Sequence, residues 1–138
     1  MTLPSRLLIK SSLIYLILGV LFGALMLINK AIPINAAVWA LLPVHIELMI
    51  FGWIIQFTLG VAYWILPRYL KGEARGNRFL AYIMVMVLNL GIWLMVVAEF
   101  TAINDYLHLI ARGLEFLAVL LFISLHWKRI VSFNKNGH

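Results

Sequence analysis

Two histidines, His45 and His108, lie in long apolar stretches, and we expect them at similar depths near one face of a membrane. Ionisable side chains at membrane depth are costly and usually line a site instead of facing lipid. One histidine from each of two helices is a simple ligand set for a haem iron. The pair therefore predicts a bis-histidine haem b site, if the helices that carry the two residues face each other.

Each histidine also has a simpler interpretation. His45 could be bonded to a neighbouring carbonyl or serine, and His108 could be an interfacial residue in a hydrated loop beside Asp105. The sequence does not show that the two meet within one chain, because a neighbouring chain in an oligomer could supply the second ligand. The other two histidines, His126 and His138, are assigned no site.

The elements that must position these histidines are transmembrane helices. The chain has 138 residues, 64% hydrophobic and 12% charged, with a mean hydropathy of +1.02. Soluble domains have about 45–50% apolar and about 25% charged residues, so this composition predicts an integral membrane protein. Four stretches are long enough to cross a bilayer as helices. We predict one all-α, four-helix transmembrane domain over residues 1–138, with helices at about 7–29, 37–66, 79–100 and 105–127.

Two further features of the sequence restrict the chemistry. It contains no cysteine, which excludes disulfides, iron–sulfur clusters, thiolate metal sites and covalent haem attachment through cysteine. The first apolar stretch is longer than the core of a signal peptide, so we expect a retained helix.

The distribution of basic residues predicts the orientation in the membrane. Nine of the eleven lie at the N-terminus, in the second connection or at the C-terminus, whereas Lys30 lies on the opposite side and Arg112 within the membrane. The positive-inside rule then places both termini in the cytoplasm. We expect a prokaryotic cytoplasmic membrane, and basic residues that contact lipid headgroups and not nucleic acid.

The second helix carries a stripe of residues that begins at His45 and continues through Gly52, Gln56 and Tyr63. Gly52 would give a flat macrocycle room to lie against the backbone, or would simply permit close helix packing. Gln56 and Tyr63 continue the polar line towards the predicted cytoplasmic side, where they could contact a proton carrier or a quinol.

Glu47 points about 160° away from His45 on the same helix. It could take a proton from quinol, pair with Arg112 or bond to the backbone. On the fourth helix, Arg112 and Glu115 have the i, i+3 spacing of an ion pair, and His108 shares their face. We count Gly52 and Arg112 with the two histidines as candidate haem contacts, and Glu47 and Glu115 as candidate proton or quinol contacts.

A longer motif carries a family resemblance. The second helix contains Pro43-Val44-His45-Ile46-Glu47, then Phe51-Gly52-Trp53, and ends with Gly60-Val61-Ala62-Tyr63-Trp64-Ile65-Leu66-Pro67-Arg68. This run resembles the second helix of subunit I in the haem–copper oxidase superfamily, and most of all C-type oxidases and nitric oxide reductases. The resemblance implies that His45 is an axial ligand of a low-spin haem.

The chain also departs from that family. Family subunits have about twelve helices in three four-helix arcs, and this chain has the helices of one arc. The family's second haem ligand and its copper-binding histidines lie on helices that have no counterpart here, so copper is not expected in a single chain. Three copies would restore twelve helices, which favours a homotrimer over a homodimer.

Three functions follow as hypotheses. The first is a small haem b protein that transfers electrons to or from quinol or a cytochrome partner. The second is a non-redox assembly, sensory or structural subunit whose polar residues only bond helices together. The third is an oligomeric oxygen or nitric oxide reductase, although one chain lacks a complete binuclear centre. Whether the protein is itself an enzyme stays open at this point.

Overall fold

The computed structural model describes residues 1–66, 76–101 and 105–132, and these form an all-helical membrane domain as predicted. Four helices are long and apolar enough to cross a bilayer. We name them α1 (Leu3–Ala31), α2 (Ala36–Ile65), α3 (Arg78–Phe100) and α4 (Asp105–Ser132). The end of the family-like motif, Pro67-Arg68, lies outside the described residues. The cytoplasmic location of the termini stays a prediction.

Asparagine side chains shape the ends of the helices. The Asn29 carboxamide oxygen accepts the backbone amides of Ile34 at 3.0 Å and Asn35 at 2.9 Å, and so closes the connection between α1 and α2. Asn77 precedes α3, and its side chain accepts the amide of Phe79 at 2.9 Å. Asn77 thus caps α3 by satisfying an amide that the helix start leaves without a partner.

Helix α2 is not uniform along its length. It begins as a 3-10 turn at Ala36–Leu41, continues as α-helix at Leu42–Glu47, widens to a π-helix at Leu48–Ile55, and returns to α-helix at Gln56–Ile65. π-helices are rare; most are single-turn bulges within α-helices, and these are frequent at functional sites. The sequence pattern did not predict this segment, which begins three residues after His45 and contains Gly52.

The helices pack as two close pairs, α1 with α2 and α3 with α4, and the pairs meet across α2 and α3. Their shared core is apolar and includes Tyr15, Leu48, Leu88 and Ala118. The outer surface carries exposed large apolar side chains on every helix, as expected for a surface that faces lipid.

Candidate functional site

His45 lies at the contact between α2 and α1. Its Nδ1 is 2.7 Å from the backbone carbonyl oxygen of Gly19. A carbonyl can only accept, so Nδ1 carries the proton and donates it to this bond. In this tautomer the lone pair is on Nε2, and within the described part of the chain Nε2 has no hydrogen-bond partner. A lone pair on Nε2 is what a metal ligand requires.

Two glycines of α1 allow α2 to approach this closely. A Cβ atom on Gly23 would lie 2.8 Å from Cε1 of His45, and one on Gly19 would lie 2.6 Å from the Sδ atom of Met49. Both distances are shorter than van der Waals contact. Glycine at these positions therefore lets the His45 ring and the Met49 side chain lie directly against the backbone of α1.

The remainder of the predicted stripe also packs against other helices. A Cβ on Gly52 would lie 2.8 Å from Cβ and Cγ of Tyr15, so Tyr15 of α1 occupies the space that we had considered for a macrocycle. The contacts support the packing interpretation of Gly52. Further along, Tyr63 is buried against α4, with its ring centre 5.2 Å from that of His126 in an edge-to-face arrangement.

A polar network joins three helices near the middle of the bundle. The Tyr15 hydroxyl donates to the carboxamide oxygen of Asn89 at 2.7 Å, and Gln56 donates to the same oxygen at 3.3 Å and to the Leu8 carbonyl at 3.4 Å. Asn89 thus makes interhelical hydrogen bonds, as polar side chains in transmembrane helices commonly do. Gln56 is fully buried by these contacts.

Glu47 of α2 and Arg112 and Glu115 of α4 form an ionic cluster whose two carboxylates are buried. The guanidinium of Arg112 lies 2.7 Å from a carboxylate oxygen of Glu47 and 2.7 Å from one of Glu115. It also lies over the ring of Phe51, 4.5 Å from the ring centre. Pairing with Arg112 was one of the three possibilities that the sequence left open for Glu47, and it is the one found in the structure. The long side chain of Arg112 reaches across to α2 and bonds both carboxylates.

The members of this cluster differ in exposure. The two carboxylate side chains are 2% exposed, whereas that of Arg112 is 42% exposed. One carboxylate oxygen of each glutamate is buried without a hydrogen-bond partner among the described residues. The cluster therefore joins α2 to α4 from within, with its cation at the surface of the single chain.

His108 has different surroundings from His45. Its Nε2 lies 3.2 Å from a carboxylate oxygen of Glu99 on α3, and its side chain is 36% exposed. The two predicted ligands therefore bond to different helices, His45 to α1 and His108 to α3. His108 would have to release Glu99 before the same nitrogen could bind an iron atom.

His126, to which we assigned no site, is one of the most buried polar residues. Its Nδ1 donates to the Phe122 carbonyl at 2.7 Å, and its ring stacks on that of Phe122 with centres 4.1 Å apart. Arg129, one turn further on, donates to the Leu66 carbonyl at 2.6 Å. The spacing that places His126 on the same helix face as His108 was the one signal of its burial in the sequence.

The residues present fit one axial ligand of a haem well. His45 offers an imidazole whose proton is fixed on Nδ1, the arrangement that second-shell hydrogen bonds give to metal-binding histidines. His108 fits as the second ligand only after its bond to Glu99 breaks. In the described ranges, no group of three or more histidine, aspartate or glutamate side chains lies close enough together to hold a metal ion.

The four long apolar helices make the chain an integral membrane protein. A family model described as cytochrome c and quinol oxidase polypeptide I matches residues 4–135, nearly the whole sequence. The chain belongs to this family, as the motif in α2 had indicated. No curated protein and no solved structure gives a significant match.

Proposed function

We propose that this protein binds haem b through His45 and transfers electrons within the membrane, to or from quinol or a cytochrome partner. The observation that carries the proposal is the hydrogen bond from Nδ1 of His45 to the Gly19 carbonyl, which leaves the Nε2 lone pair for iron. Membership of the oxidase subunit I family supports the same role, since haem is that family's redox group. Bound haem would supply a one-electron carrier in the bilayer.

The chain's own residues would bind and orient the ligand set. The fixed backbone of α1 holds His45 through the Gly19 carbonyl, and this bond makes Nε2 a stronger donor. His108 is the proposed second ligand, and Glu99 would accept its bond from the ring whenever no iron is bound. A histidine from a neighbouring chain is the alternative to His108.

Four side chains remain candidates for contact with a proton or a quinol: Glu47, Gln56, Tyr63 and Glu115. All four are buried between helices, so a quinol headgroup would have to displace a helix contact to reach them. Their role in the proposal is therefore to join helices, and the proposed haem site does not depend on a quinol at these positions. Arg112, an earlier candidate for haem contact, is similarly engaged with two carboxylates.

A structural or assembly subunit is the second candidate function, and two contacts favour it. The bond of His45 to a carbonyl and the packing of Gly52 against Tyr15 both stabilise helix association without any cofactor. A third hypothesis, an oligomeric oxygen or nitric oxide reductase, has no such contact in its favour.

We also propose that the protein is a homotrimer, with a dimer as the alternative. The Arg112 side chain is 42% exposed at membrane depth, and a charged group facing lipid there costs about 2.5–3.5 kcal/mol by insertion scales. A neighbouring chain over this surface would lower that cost. Native mass spectrometry in mild detergent should give three times 15.8 kDa, and a haem-binding monomer would contradict the proposal.

An optical spectrum of the purified protein tests the haem proposal. We expect a Soret band, a low-spin reduced spectrum and loss of both in His45→Ala. His126→Phe is a matched control. It removes a buried histidine from the end of α4 opposite His108, and it keeps an aromatic ring against Phe122. This variant should retain the wild-type spectrum.

The outcomes separate the candidate functions. If the wild-type protein is colourless and added haem gives no spectrum of a bound haem, the result would support the structural subunit. An unchanged bis-histidine spectrum in His45→Ala would show that the ligand is wrongly assigned. If His108→Ala retains the spectrum while His45→Ala loses it, the second ligand comes from a neighbouring chain.

The proposed orientation is tested separately. Reporter fusions in the connection between α2 and α3 should report a cytoplasmic location, as should fusions at both termini. An external location for the connection between α2 and α3 would reverse the topology and place His45 nearer the cytoplasmic face.

A further inference from the structure

The glycine at position 23 of α1 lies directly against the imidazole of His45. We infer that Gly23 is a positioning residue, whose missing side chain determines how the His45 ring is turned towards the iron. The inference rests on the proposed haem-binding function. Helix α1 supplies no haem ligand of its own, but through Gly23 it would control the properties of a bound haem.

The geometry shows which atoms of the ring Gly23 would affect. A Cβ atom at this position would lie 2.8 Å from Cε1, 3.2 Å from Nδ1 and 3.6 Å from Nε2 of His45. These three atoms form the edge of the ring that carries both nitrogens. A methyl group on Gly23 would therefore push on the edge that donates to Gly19 and would bind the iron.

The ring has little freedom to accommodate that methyl group in place. Its Nδ1 donates to the Gly19 carbonyl at 2.7 Å, and in a regular α-helix the same carbonyl also accepts the amide of Gly23. The acceptor is thus fixed in direction by the helix itself. If the ring turns or moves, the hydrogen bond from Nδ1 to the Gly19 carbonyl lengthens. The same movement changes the direction of the Nε2 lone pair.

Both changes have a measurable effect on a bound haem. A hydrogen bond at Nδ1 raises the basicity of the ligating nitrogen, and a more basic ligand favours ferric over ferrous iron. Weakening that bond should therefore raise the reduction potential. A change of ring orientation should also alter the low-spin electron paramagnetic resonance signal of the ferric form.

The variant Gly23→Ala tests the inference. We expect haem to be retained, the ferric low-spin signal to shift, and the ratio of ferrous to ferric haem at a given potential to rise roughly tenfold, equivalent to about 59 mV for one electron. The control is Gly113→Ala on α4, because no atom lies within 4 Å of a Cβ built there. It should keep the wild-type potential and signal.

A second control separates ring positioning from helix spacing. Gly19→Ala also adds a methyl group between α1 and α2, but the atoms it would meet belong to Met49 and Leu48. It should lower stability with a smaller change of potential than Gly23→Ala. Equal shifts in these two variants would show that helix separation, and not contact with the ring, sets the potential, and would overturn the inference.

The contact between Gly23 and His45 can also be tested without haem, so the inference stays testable if the Gly23→Ala variant binds no haem. In a double-mutant cycle on the apoprotein, Gly23→Ala should lower the denaturant midpoint when His45 is present and should lower it much less in the His45→Ala background. Equal losses in both backgrounds would contradict the inference.

The two proposals fail in distinguishable ways. If the wild type shows no haem spectrum, the proposed function is wrong, while the apoprotein cycle still reports the contact of Gly23 with His45. If the wild type binds haem through His45 but Gly23→Ala has wild-type potential and resonance signal, the inference alone is wrong.

Discussion

Helix α2 meets α1 through glycines and a backbone carbonyl, whereas it meets α4 through charged side chains. On the α1 side, His45 donates to the Gly19 carbonyl and Gly52 packs against Tyr15. On the α4 side, Glu47 shares the Arg112 guanidinium with Glu115. The first contact depends on shape and the second on charge balance. The two sides of α2 should therefore respond differently to substitution.

Removal of the cation should have the largest effect on stability. Arg112→Met would leave two buried carboxylates without their shared partner, and breaking a buried pair typically costs about 3–5 kcal/mol. Because the Arg112 side chain is itself 42% exposed, we expect a loss towards the lower end of this range in equilibrium unfolding in detergent micelles. Arg78→Met is the control, because Arg78 is exposed at the start of α3, and it should have little effect.

A triple variant sharpens this prediction. Replacing Glu47 and Glu115 by glutamine together with Arg112→Met removes all three charges, so it should recover most of the lost stability. Recovery would show that charge balance governs the contact of α2 with α4. If the triple variant were as unstable as Arg112→Met alone, side-chain packing would be the governing factor instead.

On the α1 side, a single methyl group should have an intermediate effect. A Cβ on Gly52 would lie 2.8 Å from Tyr15, and overpacking a tight contact typically costs about 1–3 kcal/mol. Gly52→Ala should therefore lower the free energy of unfolding, although alanine favours the helix. Gly113→Ala, which meets no atom within 4 Å, should be neutral or slightly stabilising. Similar values for both variants would mean that shape does not limit the contact of α1 with α2.

The smallest predicted effect concerns the neutral network between α1 and α3. Tyr15→Phe removes the hydroxyl that donates to Asn89 at 2.7 Å, and such bonds between membrane helices average about 0.6 kcal/mol. The same unfolding assay should detect a loss near this value. Tyr82→Phe on α3 is the control, since the Tyr82 hydroxyl bonds to no described residue, and it should leave stability unchanged. A loss as large as that of Arg112→Met would remove the distinction between neutral and charged contacts.

The helices could be predicted from sequence because hydrophobic length alone determines them. The structure places α2 at Ala36–Ile65 and α3 at Arg78–Phe100, within a residue or two of the predicted 37–66 and 79–100. Helices α1 and α4 extend up to four and five residues beyond the predicted 7–29 and 105–127. The π segment at Leu48–Ile55 could not be predicted, because its residues are as apolar as those of an ordinary transmembrane helix. Its wider turn depends on packing between helices, which hydropathy does not report.

The candidate site was less predictable than the helices. Angular position correctly separated Glu47 from His45, because those two residues lie on one helix. It could not show that Arg112 of α4 bonds Glu47, since the reach of a long side chain between helices depends on their packing. Nor could it show that the Nδ1 acceptor of His45 is a backbone carbonyl of α1, because every residue has such a carbonyl.

The bond between Glu47 and Arg112 also has a consequence for the order of events during synthesis. Glu47 leaves the ribosome with the second helix, whereas its counter-ion belongs to the last. Until α4 enters the bilayer, the Glu47 carboxylate has to be neutralised by a proton or remain near the hydrated interface. A nascent chain stalled before α4 should therefore hold its second helix at the wrong depth and be a substrate for membrane proteases. Completion of α4 therefore supplies the counter-ion that the Glu47 carboxylate needs at its final depth in the membrane.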